Sequence, residues 1–191
     1  MDYVSELRSN IFLAEEEEFS FRIYAVFKES PYLADGIVRE TSNRMEAHLV
    51  TTEGWKTCRL SLEYEGKTYS GEMSFDNIKS EYYLSLPLDV SKASELSCKI
   101  EYEEKKIDVV ASSVKSASTL SPEKILNVLQ EKEEELFSSL TDKYGFGGEI
   151  YLRLIYEDAA YYYVGIIDRN GKNNAFLLNA TTGVILAKRI A

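Results

Sequence analysis

The chain has 191 residues, 45% of them hydrophobic and 28% charged, with a formal net charge of -10 and a pI near 4.8. That balance excludes nucleic-acid binding through phosphate neutralisation, which needs clustered Lys and Arg, and it disfavours an anionic membrane surface. The length suffices for two small domains with separate cores, and 14 Tyr against 3 Pro favour sheet.

The acidity is concentrated at the start, where residues 1–18 hold six acids and one base. This opening, MDYVSELRSNIFLAEEEE, has neither a basic leader nor a continuous apolar run, and nothing in the chain approaches 18 consecutive apolar residues. The expected location is therefore the cytoplasm, or outside it if a leader precedes this chain, and no transmembrane segment is expected. Residues 1–14 read as an N-terminal arm.

Residues 15–117 carry a series of short strands separated by turns. FSFRIYAVFKE places Phe19, Phe21, Ile23, Ala25 and Phe27 on one side of an extended segment, so one face should be buried. RMEAHLVTT, KTCRLSLEYE, KTYSGEMSF, YYLSLPL, ELSCKIEYE and KIDVVASSV follow, with Glu65-Gly66 as a tight hairpin turn. Seven strands in about 100 residues predict an immunoglobulin-like β-sandwich domain. Cys58 and Cys98 fall on inward positions and are read as separate buried thiols, with an inter-strand disulfide as the alternative.

The period then changes, and residues 118–191 read as a second domain of α+β class. Ser121 is a helix N-cap, Pro122 sits at the first helical position, and Ile125, Leu126, Val128, Leu129, Leu136, Phe137 and Leu140 recur at helical steps up to Gly145. One long helix of about 20 residues is expected, packed on a four-stranded antiparallel sheet of EIYLRLIYE, YYYVGIID, NAFLLN and VILAKR. A two-residue turn at Asn170-Gly171 would set Arg169 opposite Lys172, Gly165 opposite Phe176 and Tyr163 opposite Leu178. A turn at EDAA would set Tyr156 opposite Tyr161 and Leu154 opposite Tyr163. The helix would then cover Ile150, Leu152, Leu154, Tyr156, Tyr163, Ile167, Phe176 and Leu178. The opposite face would hold Tyr151, Ile155, Tyr162, Val164, Ile166 and Leu177, too apolar to face water. The other domain should dock there, or else a protein partner or a second copy of the chain.

Chemistry-bearing motifs are scarce. His48 is the sole histidine and reads as an exposed strand residue, so no triad or zinc cluster is assembled and no cofactor or metal is expected. YGFGGE at 144–149 follows a helix and precedes a strand, the reverse of a phosphate-binding order. DRNGK at 168–172 lacks the ligand spacing of a calcium loop. NAT at 179–181 matches a glycosylation sequon but lies in a hairpin turn.

A helix, three strands and a closing N-A-T-T-G before V-I-L resemble the PepSY family, whose modules finish in D-A-x-T-G and an apolar strand. Ala180, Thr182 and Gly183 match, and Asn179 stands where the family usually has Asp. The resemblance covers residues 121–191 at most. It implies an extracytoplasmic role in peptidase inhibition or regulation and brings no catalytic residues. The expected function is thus a non-enzymatic protein-interaction or regulatory module. The alternatives are a surface module binding carbohydrate or another small ligand, with or without calcium, and an unrecognised hydrolase.

Overall fold

The computed structural model describes residues 3–190. In chain order the elements are β1 (Val4–Glu15), β2 (Phe19–Glu29), β3 (Thr41–Thr51), β4 (Cys58–Tyr64), β5 (Lys67–Glu72), β6 (Ser74–Asp76), β7 (Glu81–Leu86), β8 (Glu95–Tyr102) and β9 (Lys105–Ser113). Two short helices follow, α1 (Pro122–Lys132) and α2 (Glu134–Ser139), and then β10 (Thr141–Asp142), β11 (Gly145–Phe146), β12 (Gly148–Tyr156), β13 (Ala160–Asp168), β14 (Asn173–Asn179) and β15 (Ile185–Arg189). Strands make up 57% of the chain and helix 9%, and thirteen strands belong to one hydrogen-bonded network. The expected sandwich followed by a separate α+β domain is therefore overturned.

Three errors produce that difference. The supposed arm is β1, whose buried positions fall in two blocks, Val4, Ser5, Glu6 and then Asn10, Ile11, Phe12. It does not alternate because it is an internal strand, covered on both faces and carrying polar residues that are paired. It runs parallel to β12, with Val4 beside Ile150 and Leu7 beside Leu152, and antiparallel to β9, with Phe12 opposite Ser113. The single long helix also fails. It ends after 11 residues and Glu133 leaves helical geometry at φ -119, ψ 40. QEKEEE offers nothing to bury, and Glu131 and Glu135 repel one turn apart.

The third error is one of register. Asp168 and Lys172 close a three-residue loop in which Gly171 takes φ 78, and the Asp168 carboxylate accepts hydrogen bonds from the Asn170 and Lys172 amides at 2.8 and 2.9 Å. Those bonds also hold its carboxyl below the usual range. A three-residue loop joins β12 to β13 as well, since Tyr156 pairs with Ala160. Each loop shifts β13 by one position from the expected pairing, so every β13 side chain changes face while β12 and β14 keep theirs.

The chain divides into two compact units, each discontinuous in sequence; one change of unit, between 114 and 115, lies close to the expected boundary near residue 117, and the others fall after residues 9, 26 and 42. One comprises 10–26 and 43–114. Its core joins Phe12, Phe21, Ile23, Met45, Leu49, Leu60, Leu62, Leu96 and Ile100, all at most 4% exposed. The alternation expected in FSFRIYAVFKE holds from Phe19 to Ala25, with Phe19, Phe21, Ile23 and Ala25 buried, and ends there, since Val26 is buried and Phe27 only half-buried. Glu65 and Gly66 form the expected hairpin turn at φ 50 and 72, with Tyr64 opposite Lys67. Cys58 and Cys98 are free buried thiols; Cys98 pairs with Leu62, not with Cys58, and burial pushes both thiols up to about 12.

The other unit comprises the residues before 10, those at 27–42, and those from 115 onward. Here β12, β13 and β14 form an antiparallel sheet extended by the first half of β1 and by β15. Ser121 caps α1 as expected, its side chain accepting from the Lys124 amide. Ile125 and Leu129 bury fully, and the Tyr162 hydroxyl donates to Leu120 O at 2.9 Å, so α1 lies on the face that bears Tyr162.

Candidate functional site: an aromatic groove and a buried carboxylate

Beside α1 the buried ridge of Ile125 and Leu129 leaves the next strip of the helix, Glu123, Leu126, Asn127 and Gln130, facing outward. These residues form one wall of a cavity of about 390 Å³. Phe137, Thr141, Gly145, Phe146, Tyr3, Val4 and Ile150 complete it. The opposite wall is aromatic. The Phe146 ring centroid lies 5.2 Å from Tyr3 and 5.9 Å from Phe137, an edge-and-offset arrangement that ring quadrupoles favour.

Local sequence explains how Phe146 gets there. Asp142 Oδ1 accepts from the Tyr144 amide at 2.7 Å and Gly145 takes φ 112, which makes a tight β10–β11 hairpin. The Gly147 amide then donates to Leu140 O at 2.7 Å, fixing the hairpin to the end of α2. The YGFGGE glycines therefore shape a wall of the groove. The side-chain amides of Asn127 and Gln130 make no hydrogen bond among the described residues. Among the described residues Glu123 is the one charged residue in the lining, and the adjoining concavity is lined by Asn127, Gln130, Glu131 and Glu134. With no basic side chain among these described residues, the lining disfavours anions and suits a neutral or cationic ligand.

The expected interaction face is not one surface. Leu154 pairs with Tyr162 and Leu178, Leu152 with Val164 and Phe176, and Ile150 with Ile166. Tyr162, Val164 and Ile166 are fully buried on the helix side. Tyr151, Ile155 and Leu177 remain on the other face, joined there by Arg153, Tyr163 and Ile167. Tyr151 lies across Gly165, where an added Cβ would meet its ring carbon at 1.9 Å, so only glycine fits.

That second face contains the residue sequence reasoning missed. Glu149 is 0% exposed, and its Oε1 accepts from the Tyr32 hydroxyl at 3.3 Å while its Oε2 has no partner among the described residues. Burial, with Glu29 and Asp35 nearby, pushes its carboxyl up to about 7. Burial together with the Glu149 charge raises the Tyr32 phenol well above its usual range. Glu6, 7% exposed, is paired with Arg153, whose Nε lies 2.9 Å from its Oε1. Among the described residues no three His, Cys, Asp or Glu side chains group to hold a metal ion.

His48, in the other unit, does point away from Met45 and Leu49 but is covered, not exposed. Its ring lies between Tyr24 and Tyr83 at 5.0 and 5.1 Å, and its Nδ1 is 2.9 Å from Glu81 Oε1. Its Nε2 is buried without a hydrogen-bond partner among the described residues. No helix among the described residues is long and apolar enough to cross a membrane. Comparison with known proteins finds no matching family model, no matching curated protein and no matching solved structure.

Proposed function

We infer that the protein is a non-enzymatic binding module that takes a small, neutral, hydroxyl-rich ligand of carbohydrate type in the groove beside α1. The observation that carries this is the pairing of two unlike walls, the rings of Tyr3, Phe137 and Phe146 facing the unengaged amides of Asn127 and Gln130. A sugar presents the matching chemistry, an apolar C–H face for the rings and hydroxyls for the amides and Glu123. The volume of about 390 Å³ falls at the lower end of small-molecule sites, which run from roughly 300 to 1,000 Å³, and suits one or two sugar rings.

Thermal melting against a panel of neutral glycans tests this, because a ligand that binds only the folded state raises the midpoint. The expected result is a rise with at least one glycan that Phe146→Ala and Asn127→Ala both abolish. No rise across the panel, or one that survives Phe146→Ala, overturns the reading.

A second reading, protein interaction, is supported by β15. Among the described residues this strand has β14 as its sole sheet neighbour, and Val184, Leu186 and Ile190 around it are more than half exposed. That backbone edge can add a partner strand. Lys188 is taken up by Glu133, so Arg189 is the charge that opposes pairing with a second β15 and favours an acidic segment instead.

A further inference from the structure

Residues 30–40 have no regular secondary structure, yet they are held against the face of the sheet opposite α1. Two contacts fix them. Gly36, at φ 78, lies so close to the Asp168 backbone that an added Cβ would sit 2.6 Å from its carbonyl oxygen, and Tyr32 reaches Glu149. Tyr32 also interacts with the Ser5 hydroxyl of β1, and the other bonds among the described residues are internal to this strap and its hinge: Arg39 pairs with Asp35, and its amide donates to Glu29. Leu33 and Ile37 are about half exposed and anchor nothing.

We propose that Tyr32 and Glu149 form a pH-dependent latch, which holds the strap on the sheet while Glu149 carries its proton and loosens when it ionises.

The geometry sets the direction. Among the described residues an ionised Glu149 carboxylate would be fully buried with a single hydrogen bond, that from Tyr32, and an oxygen with none. The charged groups facing it are Glu29 at the end of β2 and Asp35 and Arg39 on the strap. Glu6 of β1 and Arg153 of β12, which face Tyr32, neutralise each other. Two carboxylates against one guanidinium leave the surroundings hostile to a further negative charge, and releasing the strap lets water solvate it.

The sign follows from linkage. The carboxyl is raised from an ordinary 4.5 to about 7 in the closed state. The closed state therefore has its full advantage below about pH 4.5, loses it progressively as pH rises toward 7, and gains nothing back above that. Local opening of the strap should increase about tenfold between roughly pH 6 and pH 8.

Native-state hydrogen exchange, corrected for the intrinsic pH dependence of the amides, measures this opening. Peptides covering 30–40 should lose about tenfold protection over that interval while α1 peptides stay constant, and Glu149→Gln should remove the dependence. If Glu149→Gln does not fold, carbon-13 titration of the wild-type glutamate carboxyls replaces it and should show one titrating near neutrality. Unchanged strap protection in the wild type, the same slope in Glu149→Gln, or glutamates all titrating below about pH 5.5 would overturn the latch.

Discussion

The two faces of the β12–β13–β14 sheet are both buried, but by different means. Toward α1 the residues are Leu152, Leu154, Tyr162, Val164, Phe176 and Leu178, at most 1% exposed and apolar apart from one hydroxyl. On the other side Glu149, Tyr151, Arg153 and Glu6 are largely withdrawn from water yet polar, bonded to Tyr32, Asn173 and one another except at Glu149 Oε2, which has no partner among the described residues. An apolar face is stabilised in proportion to the area it removes from water and is indifferent to pH. A polar face returns little net stability, because each pair must first offset the desolvation of its members. It does make closure depend on geometry and protonation. One sheet thus carries its stability on one side and a responsive contact on the other.

The largest effect should come from the apolar face. Leu152 is fully buried between Ile150, Leu154 and Val164, and Leu152→Ala removes its methyl groups and leaves a cavity. The expected cost is about 2–5 kcal/mol, read from chemical denaturation, with no change in slope against pH. A cost near that of a surface substitution would mean that this face is not the stabilising one.

Arg153→Ala should cost less, about 2 kcal/mol, by leaving Glu6 buried without its partner. This lies below the usual range for breaking a buried pair because the arginine side chain is a third exposed. The comparison is sharpened by adding Glu6→Gln. If the loss is an uncompensated charge, the double variant should recover about half of it; if it is the lost contact of the guanidinium with the Tyr151 ring, nothing returns.

Some of this division was legible in the sequence and some was not, for definite reasons. The Ser121 cap, the alternation of β2, the Glu65-Gly66 turn and the Asn179 turn are all set by neighbours within a few residues. Asn179 Oδ1 accepts from the amides of Thr181 and Thr182 at 3.0 and 2.9 Å, and Gly183 takes φ 72 as its sequence suggests. Which face β13 shows depends on one residue of loop length, and Asn170-Gly171 fits a two-residue turn as well as the Asp168-closed loop that forms. Glu149 carried no signal, since its environment is assembled by Tyr32, 117 positions away in the chain. The aromatic groove was half visible. Leu126 and Phe137 lie on the expected helical repeat, but Phe146 gains its role from Tyr3, which approaches only because β1 is a strand and not an arm.

The smallest predicted effects compare one hydroxyl on each face. Tyr162 donates to Leu120 O within an otherwise dry interior, so Tyr162→Phe leaves that carbonyl without this donor where water cannot readily replace it. The expected loss is about 1 kcal/mol. Tyr151 exchanges hydrogen bonds with Asn173, which is half-buried, so in Tyr151→Phe the amide can turn to solvent. That loss should stay below about 0.5 kcal/mol. Both are measurable as midpoint shifts in the same denaturant series, and their order matters more than their size. A larger loss at Tyr151 would mean that the polar face is drier than its exposed neighbours suggest, and that more of the unit's stability rests on its hydrogen bonds than on the apolar contacts beneath α1.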